Sequence, residues 1–184
     1  AASRLLHVER SWDLPRLLAF MLQESDNMMA ESFVREIGRR RSGVGSTPAG
    51  LAAIDEVITQ QLCLPREGVN DDGSGVSHYS RHSARYWRRL LDVARAQPWG
   101  ASFDAGLAVS GQSGTMKTRL TSAVAAGRVR AKTGTVRGGR ALTRGFVNRK
   151  THDLALVRQV EEWTPPNAQL LAFGLTLTLQ HYAD

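Results

Sequence analysis

The apolar periodicity of this 184-residue chain is helical early and mostly strand-like late, and that order constrains the fold more than any other feature. Up to residue 95 apolar side chains recur at helical spacing, and from residue 128 onward they tend to alternate. From Asp13 to Gln23, Leu14, Leu17, Leu18 and Met21 share one helical face, with Pro15 in the first turn where a missing N–H costs little. Ser25-Asp26-Asn27 interrupts the pattern, since these residue types favour caps and turns. Met28 to Arg40 resumes it through Met29, Phe33 and Ile37, until Gly38, Gly43 and Gly45 break the helix. Thr47-Pro48 reads as N-cap and first position of a helix running to about Leu62. Asn70 to Gly75 is a turn, rich in Asp, Gly and Ser. Ser83 caps a helix that places Trp87, Leu90, Leu91 and Ala94 on one side and Arg85, Arg88, Arg89 and Arg95 mostly on the other. Strand signals cover Arg128 to Thr135, Arg140 to Asn148 and Leu170 to Gln180, the last alternating Leu175, Leu177, Leu179 against Thr176, Thr178, Gln180. Leu154 to Trp163 leans towards a helical period through Leu154, Val157 and Val160. Helices first and strands last predict an α+β fold. No repeat or low-complexity linker divides the chain, so residues 1–184 read as one unit.

The hydrophobic fraction of 42% and charged fraction of 22% are ordinary for a folded domain and exclude disorder. Charges interrupt every apolar run well before 18 residues, so no transmembrane segment is expected. The start, Ala1-Ala-Ser-Arg-Leu-Leu-His7, has neither an initiator Met nor a signal-peptide pattern, which points to a native N-terminus elsewhere. The single cysteine, Cys63, excludes an internal disulfide, and its place after Leu62 at a predicted helix end suggests a buried packing role. The net charge of +7 suits anionic partners, and only Lys117, Lys132 and Lys150 among the 24 basic residues are lysines. The arginines are nevertheless spread along the chain, with one dense run at Arg39-Arg40-Arg41 and no interleaved aromatics for base stacking. A solvated basic surface is the better reading, and no nucleic acid is expected. His7, His78, His82, His152 and His181 lack metal-ligand spacing, so neither metal nor cofactor is called for.

Four short motifs punctuate this pattern in order: Glu24-Ser-Asp-Asn-Met28, Asp72-Gly-Ser-Gly-Val76, Gly114-Thr-Met116 and Ala131-Lys-Thr-Gly-Thr135. S-D-N and K-T-G are two of the three signatures of penicillin-binding proteins and class A β-lactamases, the third being S-x-x-K with its nucleophilic serine. No serine here has a lysine three residues on; Ser113 to Lys117 is one residue too long. Either tripeptide alone is a weak signal, but four in sequence are strong. From Leu14 to about Val147 the chain resembles the D-alanyl-D-alanine carboxypeptidase/endopeptidase family of low-molecular-mass penicillin-binding proteins, in the branch with a large insertion between S-x-x-K and S-x-N.

That resemblance implies a partial β-lactamase/transpeptidase-like fold, with antiparallel strands from the C-terminal half packed on helices. It implies a serine-type hydrolase of peptidoglycan stem peptides ending in D-Ala-D-Ala, working in the periplasm or elsewhere in the extracytoplasmic cell envelope. Ser25 would relay a proton to the leaving amine, and Asn27 would hold the substrate's peptide carbonyl and orient the S-x-x-K lysine. Lys132 would offer its charge to the terminal carboxylate, and Thr133 would hydrogen-bond it. Gly134 would let the substrate lie along the strand. The Thr135 N–H would supply half of the oxyanion hole. Asp72 to Gly75 would shape the cleft wall, and its simpler reading is a turn. Without S-x-x-K the chain alone is expected to be inactive, and to take β-lactams only where the N-terminal part is present. The other readings are a non-catalytic module that binds the same peptides and, from charge alone, a nucleic-acid-binding domain. Departures from the family are Arg144 in a strand where small or apolar residues are usual, a long 152–167 segment, and no helix after Gln180.

Overall fold

The computed structural model describes residues 7–136, 139–147 and 153–161. Helix α1 spans Leu14–Glu24 and starts at Asp13, whose carboxylate accepts the Arg16 N–H at 3.0 Å. Helix α2 (Asn27–Ser42) follows after two residues, capped by Asp26, whose side chain accepts the Met29 N–H at 2.9 Å. Helix α3 (Thr47–Glu56) widens into a π-helical turn at Val57–Gln61, so the run has the expected length. Its cap is Ser46, accepting the Ala49 N–H at 3.3 Å, with Thr47 the first helical residue. The expected cap is therefore off by one: a hydroxyl one residue earlier reaches the free amide, and Pro48 still lies in the first turn. Helices α2 and α3 approach closely, and a side chain at Gly50 would collide with the Val34 backbone.

Cys63 is exposed rather than buried, with φ 52°. The helix ends in a tight reversal in which the Leu64 N–H bonds Ile58 O at 3.0 Å, and Leu64, 8% exposed, takes the core position instead. Helix α4 (Ala84–Arg95) is capped by Ser83 and buries Tyr86, Leu91 and Ala94, and the short α5 (Gly100–Gly106) packs on α1.

One antiparallel sheet follows, in the order β1 (Ala108–Val109), β2 (Val129–Val136), β3 (Gly139–Val147) and β4 (Asp153–Glu161). β2 and β3 each match the expected strands to within one residue at either end. β4 corrects the helical leaning of Leu154 to Trp163, and it fills much of the 152–167 segment. Leu154, Leu156 and Val160 lie opposite Phe146, Arg144 and Arg140 of β3. A short apolar run cannot be told from a helix by its own period, and here pairing decides. Arg144 stands opposite Ala131 of β2 as well. The strand expected at Leu170 to Gln180 lies outside the described residues.

The core beside the sheet is built from Ala108, Met116, Ala125, Val129 and Ala131, all at most 1% exposed. Ser110 is buried among them without cost, because its hydroxyl donates to Ala125 O at 2.6 Å and accepts the Val129 N–H at 3.1 Å. The chain is a mixed α+β fold with its sheet towards the C-terminus, packed against helices.

Candidate functional site

The junction between α1 and α2 and the middle of β2 meet at one point. At that junction the three residues of Ser25-Asp26-Asn27 have different parts. Asp26 does the capping. Ser25 closes α1 in the left-handed region at φ 59°, its backbone N–H bonding Met21 O. That conformation is uncommon for a residue with a Cβ and re-aims the side chain away from the helix path. The Ser25 hydroxyl is thereby left for a distant partner: Lys132 Nζ donates to Ser25 Oγ at 2.7 Å, across 107 positions of sequence. Asn27 is exposed in the first turn of α2, two residues from this contact, and makes no side-chain hydrogen bond among the described residues.

Lys132 is half-buried on β2 and donates a second hydrogen bond to Thr133 O at 2.6 Å. Burial pushes its amine below the ordinary lysine value, because a cation loses hydration there. Among the described residues no carboxylate pairs with it. A partly desolvated amine with no carboxylate beside it among the described residues could pair with an anionic group.

Among the described residues, no strand covers the edge beside it. Ser110 N–H bonds Val129 O at 2.9 Å, so the odd-numbered residues of β2 aim their backbone groups towards the β1 side. β1 pairs only with Arg130 and Ala131. Beyond them the backbone of Thr133 and Thr135 faces an edge that no described strand covers, with Gly134 and Thr135 exposed beside it. Thr133 itself is 7% exposed, and its hydroxyl lies 2.8 Å from that of Thr115.

Thr115 sits on the 3-10 turn Gly114–Met116, which abuts the end of α1. A side chain at Gly114, where φ is +49°, would collide with the Gln23 carbonyl. Sequence reasoning marked this turn as a motif but gave Thr115 no part. Its signal, a Gly-Thr pair before a buried Met, becomes meaningful only once β2 is placed beside it.

The Asp72 loop is the turn its composition suggests, and it is anchored. Asp72 accepts from the Ser77 N–H at 2.7 Å, the Gly75 N–H at 3.1 Å, and the Ser74 and Ser80 hydroxyls. Burial alone would raise its pKa, but these hydrogen bonds together win and hold it below the usual carboxylate value. Glu31, one helical turn after Asn27, accepts the Gly73 N–H at 2.9 Å and the Ser74 N–H at 3.0 Å, docking the loop on α2. A separate cavity of about 390 Å³ lies over α4, lined by Ala84, Arg85, Arg88 and Arg89. It shares no residue with this site, and Arg88 and Arg89 are paired with Asp92 and Glu67. Among the described residues no cluster of His, Cys, Asp and Glu could hold a metal ion.

The sequence model of the D-Ala-D-Ala carboxypeptidase 3 (S13) family matches residues 1–169. The chain belongs to that family. It is 35% identical over 151 residues to a D-alanyl-D-alanine carboxypeptidase of Actinomadura sp. (strain R39), covering 79% of this chain and 28% of that relative. It is 31% identical over 135 residues to a penicillin-sensitive carboxypeptidase A of Dictyostelium discoideum, covering 71% of this chain and 26% of that one. The chain thus spans little more than a quarter of these relatives. The fold matches penicillin binding protein 4 from Haemophilus influenzae at a TM-score of 0.84 and 23% identity, over 93% of this chain and 40% of that one. A predatory peptidoglycan endopeptidase from Bdellovibrio bacteriovorus matches at a TM-score of 0.65 and 17% identity, over 92% and 43%. Part of the fold seen in those structures is therefore present in this chain, its S-D-N and K-T-G segments in contact.

Proposed function

We propose that this chain forms the carboxylate-binding and proton-relay half of a serine-type D-Ala-D-Ala carboxypeptidase or endopeptidase, acting on peptidoglycan stem peptides in the cell envelope. The observation that carries this reading is the Lys132–Ser25 contact beside a strand edge that no described strand covers. A stem peptide would pair its backbone with Thr133 and Thr135, lying over Gly134. Its terminal carboxylate would meet the Lys132 ammonium and the Thr133 hydroxyl, a charge-assisted pair. The Thr135 N–H would face the carbonyl oxygen that becomes anionic during acyl transfer. Ser25, held on Lys132, would pass a proton to the departing D-alanine amine. Asn27 would hold the substrate's peptide carbonyl. The attacking serine would come from an S-x-x-K segment outside these residues. Ser113, with the nearest spacing, is committed to accepting the Val109 N–H at 3.0 Å.

The missing S-x-x-K also favours a second reading, a degenerate module that binds the same peptides without cleaving them. Calorimetry with acetyl-D-Ala-D-Ala tests what both share. The wild-type chain should bind it, and Lys132→Met should lose roughly ten- to hundred-fold in affinity, the worth of a hydrogen bond to a charged group. Equal affinity in the two would remove Lys132 from the site. Turnover by a protein that carries S-x-x-K ahead of this chain would then separate enzyme from module.

A further inference from the structure

The mechanism outlined above uses Thr133 but leaves open what fixes its hydroxyl. A threonine hydroxyl has one proton and can rotate, so a subsite that needs that proton for a carboxylate must keep it from pointing elsewhere. Thr133 is almost fully buried, and among the described residues the one side-chain hydrogen bond it makes is with Thr115, at 2.8 Å between the hydroxyl oxygens. Thr115 in turn has no other side-chain hydrogen-bond partner among them. Its own position is well determined. Met116, next along, is 0% exposed in the core, and Gly114, just before, lies against the Gln23 backbone at the end of α1. The turn is therefore wedged between the helix that delivers Ser25 and the strand that delivers Lys132.

We propose that Thr115 is a positioning residue for the carboxylate subsite: it donates to Thr133 Oγ1, so that the Thr133 proton is turned towards the ligand's carboxylate. The proposal rests on the carboxylate reading of Lys132 and Thr133 and adds a residue to it. Without a ligand the two hydroxyls can bond in either direction. An anion beside Lys132 fixes the direction as Thr115 to Thr133 to carboxylate, and each bond in such a chain polarises the next. No charge is placed on Thr115, and no contact with the ligand is required of it. Its effect is specific to anionic ligands.

The test compares acetyl-D-Ala-D-Ala with its C-terminal amide, binding being followed by the amide NMR signals of Thr133 and Thr135 in the 184-residue chain. The wild type should prefer the carboxylate. Thr115→Val, which keeps shape and removes the hydroxyl, should weaken carboxylate binding about three- to ten-fold and leave the amide unchanged. Thr115→Ser should restore the preference, which loss of packing alone would not allow. In a Thr133→Val background the Thr115→Val change should have no further effect. A wild type indifferent to the carboxylate would overturn the subsite reading itself, and the proposal with it. A carboxylate-selective wild type with an equally selective Thr115→Val, or a Thr115→Ser as impaired as the valine, would overturn the part given to Thr115 alone.

Discussion

Lys132 and Asp72 are two residues whose pKa folding lowers, Lys132 because burial penalises its charged form and Asp72 because its hydrogen bonds favour its charged form. Burial lowers the Lys132 pKa from 10.5, so between the two values the unfolded chain binds more protons than the folded one. Stability from this residue therefore rises with pH through that window and is lost again as pH falls below it. Compared with Lys132→Met across alkaline pH, the parent chain should gain stability as pH approaches 10.5, a trend that thermal unfolding at matched pH values would show. A constant difference would mean that Lys132 is as hydrated folded as unfolded. Asp72 has the same sign on the acid side, since its pKa is held below 3.8. Its contribution is complete above 3.8 and disappears as pH falls through the folded value. Asp72→Ala should cost about 1–3 kcal/mol in urea unfolding near neutral pH, because it strips partners from two backbone amides and two hydroxyls.

The elements were largely legible in the sequence, and their ends less so. Asp26, Ser83 and the glycines after α2 are local signals acting over three or four residues, so α1, α2 and α4 could be read from the chain alone. β4 could not, because Leu-Ala-Leu-Val becomes a strand only when β3 lies beside it. Cys63 was misplaced because a helix ending in a left-handed residue turns the next side chain inward instead. At the site, Ser25 and Lys132 were legible as motifs. The Thr115 contact was not, since it depends on how the Gly114–Met116 turn meets β2. That turn sets a spacing that can be tested. Gly114→Ala combines a left-handed backbone with a collision against Gln23, and should cost about 1–3 kcal/mol while parting Ser25 from Lys132. Gly43→Ala is the control, strained at φ +77° but with nothing within 4 Å of the added carbon. It should lose stability without altering ligand binding. Equal behaviour of the two would deny the turn any part in the site.

At the scale of the whole molecule, several surface charges among the described residues are paired. Arg39 and Arg40 share Glu36, Arg41 bonds Glu56, and Arg66 bonds Asp55, so the dense arginine run is largely neutralised where it stands. The net charge of +7 is that of the whole sequence, and exposed pairs of this kind add little stability. No helix among the described residues is long and apolar enough to cross a membrane. Two motifs 107 positions apart converge in a chain that spans 28% of its Actinomadura relative. The proposed division of labour places the nucleophile outside these residues and the carboxylate anchor within them. Fluorescent penicillin, followed by denaturing electrophoresis, tests that division most directly. The 184-residue chain should stay unlabelled, a protein in which it follows an S-x-x-K segment should label stoichiometrically, and Lys132→Ala in that protein should label at least roughly ten-fold more slowly. A stoichiometric label on Ser25 or Ser113 of the chain alone, or undiminished labelling after Lys132→Ala, would contradict it.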